Sequence, residues 1–172
     1  LDIESIDRIA PVVQTLADCG THLLKQHTVH LRNMAETGYQ RMVFLGSGPL
    51  FGTAHESHLK VQELSDGTII CTFDSFLGFR HGPKAVVNAS SVIVYLLSNN
   101  PLVRQYEIDL IKSVNQTAAG QRSIAIGNHI DAEALNIHLP VSFPDTLDAV
   151  PEEFLSVLFV MPAQILGFFK SL

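Results

Sequence analysis

Glu56, Lys60 and Glu63 follow one another at offsets of four and three, and eighteen positions beyond Glu63 a histidine, His81, sits in the run RHGPK. On a helix those offsets bring all three side chains to one face. A carboxylate beside an ammonium, with an imidazole elsewhere, is equipment for moving protons near neutral pH. The same three residues also make a plain solvent-facing stripe, with ion pairs worth about 0.3–0.5 kcal/mol each. Pro83 predicts a short helical turn over 83–87, which places His81 just ahead of it, where the positive end of a helix dipole favours a neutral ring. A histidine that bonds a backbone carbonyl is the structural alternative.

Just ahead of the charged stripe lies a glycine loop, Gly46-Ser47-Gly48, with Gly52 four residues on. Between a strand and a helix such a loop aims backbone N–H groups at an anion, so Ser47 and Gly48 are candidate binding residues. It is a poor dinucleotide loop: the spacing is GxGxxxG, and Thr68 and Ile69 stand where an acid would hold a ribose. His55 and His58 flank Glu56 but are three apart, whereas the zinc-protease motif needs four, and no metal or cofactor is expected. His22, His27, His30, His129 and His138 fall in no recognisable constellation.

These side chains need a scaffold, and the apolar pattern supplies one. Continuous apolar runs at 42–45, 68–73, 92–97 and 123–126, with a weaker one at 136–139, read as strands buried on both faces. Helical segments at 49–64, 83–87 and 102–115 separate most of them, the last capped by Asn100 with Pro101 in its first turn. Strand alternating with helix predicts an α/β fold with a doubly wound five-stranded parallel sheet. Its ligands would lie at the carboxyl ends of the strands, at Ser47-Gly48, Asp74-Ser75, Ser98-Asn99 and Gly127-Asn128. Ahead of the sheet, helical periodicity over 6–36 predicts two helices broken near Gly20, with Pro11 opening or kinking the first and Gly38 stopping the second. A final helix over 152–172 follows Pro151. Phe76, Leu77 and Phe79 crowd what reads as a loop, and apolar loop residues want a partner surface.

With 172 residues the chain suits one domain, and 47% apolar against 16% charged residues rules out a disordered chain. A net charge of -6 without any basic cluster argues against nucleic acid as a partner. Cys19 and Cys71 lack metal or redox spacing and read as buried thiols in a reducing, cytoplasmic setting. The acidic start, LDIESID, is not a secretory signal, and beginning at Leu1 points to a piece of a longer protein. The apolar tract 154–169 is interrupted by Pro162, Gln164 and Gly167 and is shorter than the ~20 residues of a membrane span, so a core or interface helix is expected and no membrane.

The motifs LGSGPLFG, ESHLKVQEL, DSFLGFRHGPK and NNPLVRQYEIDLI, covering 45–111, resemble the sugar isomerase (SIS) superfamily, and within it the second SIS module of the AgaS family of amino-sugar phosphate isomerases and deaminases. The resemblance implies flavodoxin-like strand order and a role for each residue. Glu63 matches the base that moves a proton between C2 and C1 of an open-chain sugar, and Lys60 a lysine assisting at the adjacent oxygen. His81 matches the ring-opening histidine, which in relatives often reaches into a neighbouring subunit's site. Glu56 matches a neighbouring acid, and Arg80 precedes the histidine as a further substrate-binding candidate. The implied reaction turns galactosamine 6-phosphate into tagatose 6-phosphate and ammonia. A non-catalytic sugar-phosphate sensor or a dimerisation module is the rival.

Two departures from the family pattern shape the expectation. Single-module SIS domains grip phosphate with an SxSGxT loop after the third strand, whereas this chain has Ser98-Asn99-Asn100-Pro101. It also stops at Lys170-Ser171-Leu172, where the family continues. Residues 1–172 are therefore expected to be one SIS domain, with residues 1–40 packing on it, and the second half of a two-module enzyme. Its partners would be a phosphorylated hexose or hexosamine, a second SIS module and other copies of itself.

Overall fold

A computed structural model of the chain describes residues 3–117 and 120–172. Strands β1 (Arg41–Leu45), β2 (Ile70–Asp74), β3 (Ser91–Leu96), β4 (Arg122–Gly127) and β5 (Leu139–Ser142) form one parallel sheet in the order β2-β1-β3-β4-β5. Arg41 pairs with Ile70 on one side and Ser91 on the other, and the register runs on to Leu45 opposite Asp74 and Tyr95. The helices are α1 (Ile3–Gln26), α2 (Thr28–Ala35), α3 (Pro49–Leu64), α4 (Phe76–Arg80), α5 (Pro101–Thr117), α6 (Ser156–Phe159) and α7 (Met161–Lys170), with single 3-10 turns at Pro83–Val86, Asp145–Ala149 and Glu152–Phe154.

Because successive strand side chains point to opposite faces, the sheet divides the core in two. Met42, Phe44, Val92 and Val94 face Leu50, Ala54 and Val61 of α3, together with Leu23, Leu31 and Leu166 of α1, α2 and α7. Val43, Leu45, Ile93 and Tyr95 face Phe76 and Phe79 of α4 and Leu110, Ile111 and Val114 of α5. Right-handed crossovers enforce the division: β1 to β2 steps outward over one face by α3, and β2 to β3 steps back over the other by α4.

Several expectations need correction. Helix α1 runs through Gly20 without a break and contains Pro11; the interruption comes at His27. A side chain at Gly20 would stand 3.6 Å from the Met161 sulfur, so the glycine marks where α1 runs close to α6 and α7. Strand β2 starts at Ile70, and β5 lies three residues beyond its expected start, because Asn136 adopts φ 51° and Pro140 is tolerated on an edge strand. Phe76 and Phe79 are not loop residues: Ser75 caps a short helix by accepting from Gly78 N–H at 2.9 Å, and both rings are buried. The single final helix is three short ones. By length and composition alone residues Glu152–Lys170 could cross a membrane, yet Leu155, Leu158, Phe159 and Leu166 are built into the core. Leu1, one of the grounds for expecting a longer chain, lies outside the described residues.

Candidate active site

At the carboxyl end of the sheet, β1 and β3 are neighbours whose following helices leave on opposite faces, the crevice where such folds bind ligands. Gly46 opens the loop there, and a Cβ on it would lie 2.2 Å from Leu50 O; Gly48 adopts φ 51°. Both glycines are required by the backbone path. Pro49 then starts α3.

The anion in this crevice belongs to the chain itself. Glu107, on α5, is fully buried, and its Oε2 accepts from Ser98 N–H at 2.9 Å. Burial pushes its carboxyl up to about 6, while Ser98 N–H, the Ser47 side chain and the Arg104 charge favour the ionised form. Ser98 Oγ donates to Glu152 Oε2 at 3.1 Å, and Asn100 Oδ1 caps α5 by accepting from Leu102 N–H at 3.0 Å. Arg104 reaches Asn128 O, and Asn128 Nδ2 donates to Asp148, which also holds His129 at 2.8 Å. Ser98 N–H and Oγ, the donors directly after β3, are thus committed to internal carboxylates, whereas Asn99 Nδ2 and Arg104 Nη1 are buried without a hydrogen-bond partner. Ser47 and Gly48 sit at the expected place, in the loop between β1 and α3, while Glu107 Oε1 is buried without a hydrogen-bond partner.

Glu56, Lys60 and Glu63 do share one face of α3. Its opposite face buries Leu50, Ala54, Ser57 and Val61, which fixes the charged stripe outward. Lys60 Nζ lies 3.3 Å from Glu56 Oε1 and 3.1 Å from Glu63 Oε2. Hydrogen bonds that Lys60 donates to Glu63 and then to Glu56 raise its pKa, so the ammonium is retained. Glu63 is 63% exposed and not sequestered within this chain. Beside the stripe is a cavity of about 300 Å³ between Glu56, Thr53, Gly52, Ser156 and Val157. Thr53 Oγ1 donates to Ser156 Oγ at 2.9 Å and forms its polar wall. His55 and His58 stack on Phe73, at 4.3 and 4.7 Å between ring centroids.

His81 and Arg80 lie on the other side of the sheet. His81 ends α4, its N–H bonded to Gly78 O, so it follows a helix as well as preceding the 3-10 turn; the expected one-sided dipole is not there. Arg80 reaches Tyr106 O at 3.4 Å on α5. Residues 80–86 are all exposed, and Leu77 is 61% exposed. Since α3 packs on one face and α4 on the other, the structure brings Glu56, Lys60 and Glu63 together and does not bring His81 to them. Sequence reasoning missed Glu107 and Arg104. The signal was present, because Glu107 falls in line with Val103, Leu110, Ile111 and Val114 on the apolar stripe of its helix.

This geometry has close relatives. The D-galactosamine-6-phosphate deaminase AgaS of a Shewanella species is 32% identical over 95% of this chain, which covers 40% of that protein. The solved tagatose-6-phosphate ketose/aldose isomerase of Escherichia coli is 31% identical, with a TM-score of 0.80 over 91% of this chain and 42% of its own. The chain is an AgaS-type sugar isomerase domain. The C-terminal domain of glucosamine-fructose-6-phosphate aminotransferase from Francisella tularensis shares the fold, with a TM-score of 0.79 at 21% identity over 99% of this chain and 47% of its own. No family model matches the chain. The domain spans about two fifths of the length of its AgaS and isomerase relatives.

Proposed function

We propose that the domain is the proton-transfer half of a two-module amino-sugar-phosphate deaminase, acting on galactosamine 6-phosphate. The observation that carries this is the Glu56–Lys60–Glu63 stripe, with one ammonium held between two carboxylates beside an open cavity. Ring opening moves a proton from the anomeric hydroxyl to the ring oxygen and leaves an aldehyde at C1. Glu63 takes the C2 proton, and the electron pair shifts to make the C1–C2 enol. Lys60 stabilises the negative charge that grows on the C1 oxygen during this step. Glu63 then returns the proton to C1 as the nitrogen lone pair forms the C2=N bond, and a proton from the nitrogen passes to the C1 oxygen, leaving an imine and a C1 hydroxyl. Water adds at C2 and ammonia leaves, giving tagatose 6-phosphate. Glu56 holds Lys60 in place, and plain aldose/ketose isomerisation would use the same first half.

Ring opening falls to His81 of a neighbouring copy, with Arg80 beside it, because the sheet separates His81 from Glu63 in one chain. The exposed loop at 80–86 with Leu77 is the surface that would reach across, making the enzyme a homo-oligomer. Phosphate would be gripped by the other module, since Glu107 fills this one's crevice; Ser47 and Gly48 contribute backbone positioning. Burial pushes the free Cys71 thiol up to about 12, which keeps it an inert thiol and agrees with a cytoplasmic enzyme. Glu63→Gln in the intact enzyme should lower ammonia release and C2 proton exchange with solvent by roughly 10²–10⁴-fold while leaving sugar-phosphate binding near normal. Near-normal turnover would sink the assignment. The filled crevice also favours a second reading, a non-catalytic sensor or dimerisation module; binding of sugar phosphate without any C2 exchange in the wild-type enzyme would establish that instead.

A further inference from the structure

Far from α3, along the outer edge of β5, the junction of α1 and α2 carries two adjoining open clefts of about 600 and 250 Å³, which share His30, His138 and Leu139. Volumes of roughly 300–1,000 Å³ are those of small-molecule sites. The polar lining is His22, His27, His30 and His138, with Arg122 and Asn33, and neither cleft is lined by an Asp or Glu. In a chain of net charge -6 that is a marked local inversion. Among the described residues Arg122 has no carboxylate partner.

The hydrogen bonds set the ring tautomers. His27 Nε2 faces Ser142 O at 3.1 Å, and a carbonyl only accepts, so Nε2 donates and leaves Nδ1 bare; that Nδ1 is buried without a partner. Ser123 N–H donates to His138 Nδ1 at 3.2 Å, so Nε2 of the neutral His138 ring carries the proton. That gives a ready donor, while a proton at His27 Nδ1 would complete a second. The charges acting on these rings come from within the group: burial and then His22 and His30 lower the His27 pKa, although the Ser142 bond opposes this, and burial and then Arg122 lower that of His138. Mutual repulsion without counter-charge is what an anion relieves. Among the described residues no three His, Cys, Asp or Glu groups are placed to hold a metal ion.

We propose that this cleft binds a small phosphate-monoester dianion, received by Arg122, His138, His30 and a proton-accepting His27. The site is separate from the α3 stripe and does not depend on its role. Binding draws protons onto the imidazoles, so it strengthens as pH falls.

The test titrates the chain with sulfate, whose charge is constant across the range, and with inorganic phosphate, glucose 6-phosphate and glucose. Calorimetry reads affinity, and NMR reads the imidazole protons. Sulfate, phosphate and glucose 6-phosphate should shift the His27, His30 and His138 resonances while glucose does not, and sulfate should bind about tenfold more weakly at pH 8 than at pH 6. The double substitution His30→Gln, Arg122→Gln should cost about tenfold or more in affinity at an unchanged melting temperature. Preference for glucose 6-phosphate over inorganic phosphate would name a phosphorylated metabolite as the occupant, and equal affinity would name free phosphate; both support the site. Imidazole resonances of the wild-type chain that stay fixed under all three anions would overturn it, as would affinity indifferent to pH or to the double substitution.

Discussion

Glu107→Gln isolates the internal carboxylate that fills the crevice. Its carboxyl titrates at about 6 when folded against an ordinary 4.5, chiefly because of burial. A raised folded pKa means that the folded chain holds this proton more tightly than the unfolded one. The stabilising contribution is therefore complete below the unfolded value and is lost as pH rises through the folded value. At about 1.4 kcal/mol per pKa unit, the move from 4.5 to about 6 amounts to ~2 kcal/mol. Glutamine keeps an oxygen for Ser98 N–H and cannot ionise. Urea unfolding of both proteins, followed by circular dichroism at pH 4 and pH 8, measures the effect with the variant's own packing cost as baseline. The wild type should lose ~2 kcal/mol relative to Glu107→Gln between the two values, most of it between pH 4.5 and 6. A stability difference that stays constant with pH, or one that moves in favour of the wild type, would refute the reading of Glu107 as a desolvated acid.

Other substitutions test the scaffold. Gly46→Ala places a Cβ 2.2 Å from Leu50 O, and should destabilise the chain by about 3 kcal/mol or prevent folding, read as a lower urea midpoint. Gly167→Ala would meet Leu64 Cδ1 at 2.8 Å where α7 crosses α3, and should cost about 1–3 kcal/mol by the same measurement. Asn100→Ala removes the cap of α5 and should cost about 1 kcal/mol, with Asn100→Asp restoring most of it.

How much of this could be read beforehand follows from what each residue's neighbours are. Strands β1, β3 and β4 are buried on both faces, so their apolar runs were plain, and α3 was legible to both ends because Pro49 starts it and its polar stripe is continuous. Gly20 misled because a glycine inside a helix signals either a break or a close approach, and only the position of Met161 decides which. Strand β5 is four residues long with a proline at an edge, and the adjacent buried Ile137 offered an equally apolar start. The Glu56–Lys60–Glu63 constellation was local and therefore visible. The separation of Glu63 from His81 was not, since it depends on which face each crossover takes. Glu107 stood on an apolar stripe in plain view, but its partner Ser98 comes from another strand's end, a contact that no spacing within one segment encodes.

The central claim is that Glu63 and His81 serve one sugar from two different copies. Mixing measures this directly: the intact Glu63→Gln and His81→Gln enzymes, each inactive, are co-unfolded and reassembled together. In a symmetric dimer with shared sites each mixed pair contains one site with both native residues, so ammonia release should return to about a quarter of the wild-type rate. A mixture that stays as inactive as its components would contradict the claim and place both residues in the service of one chain.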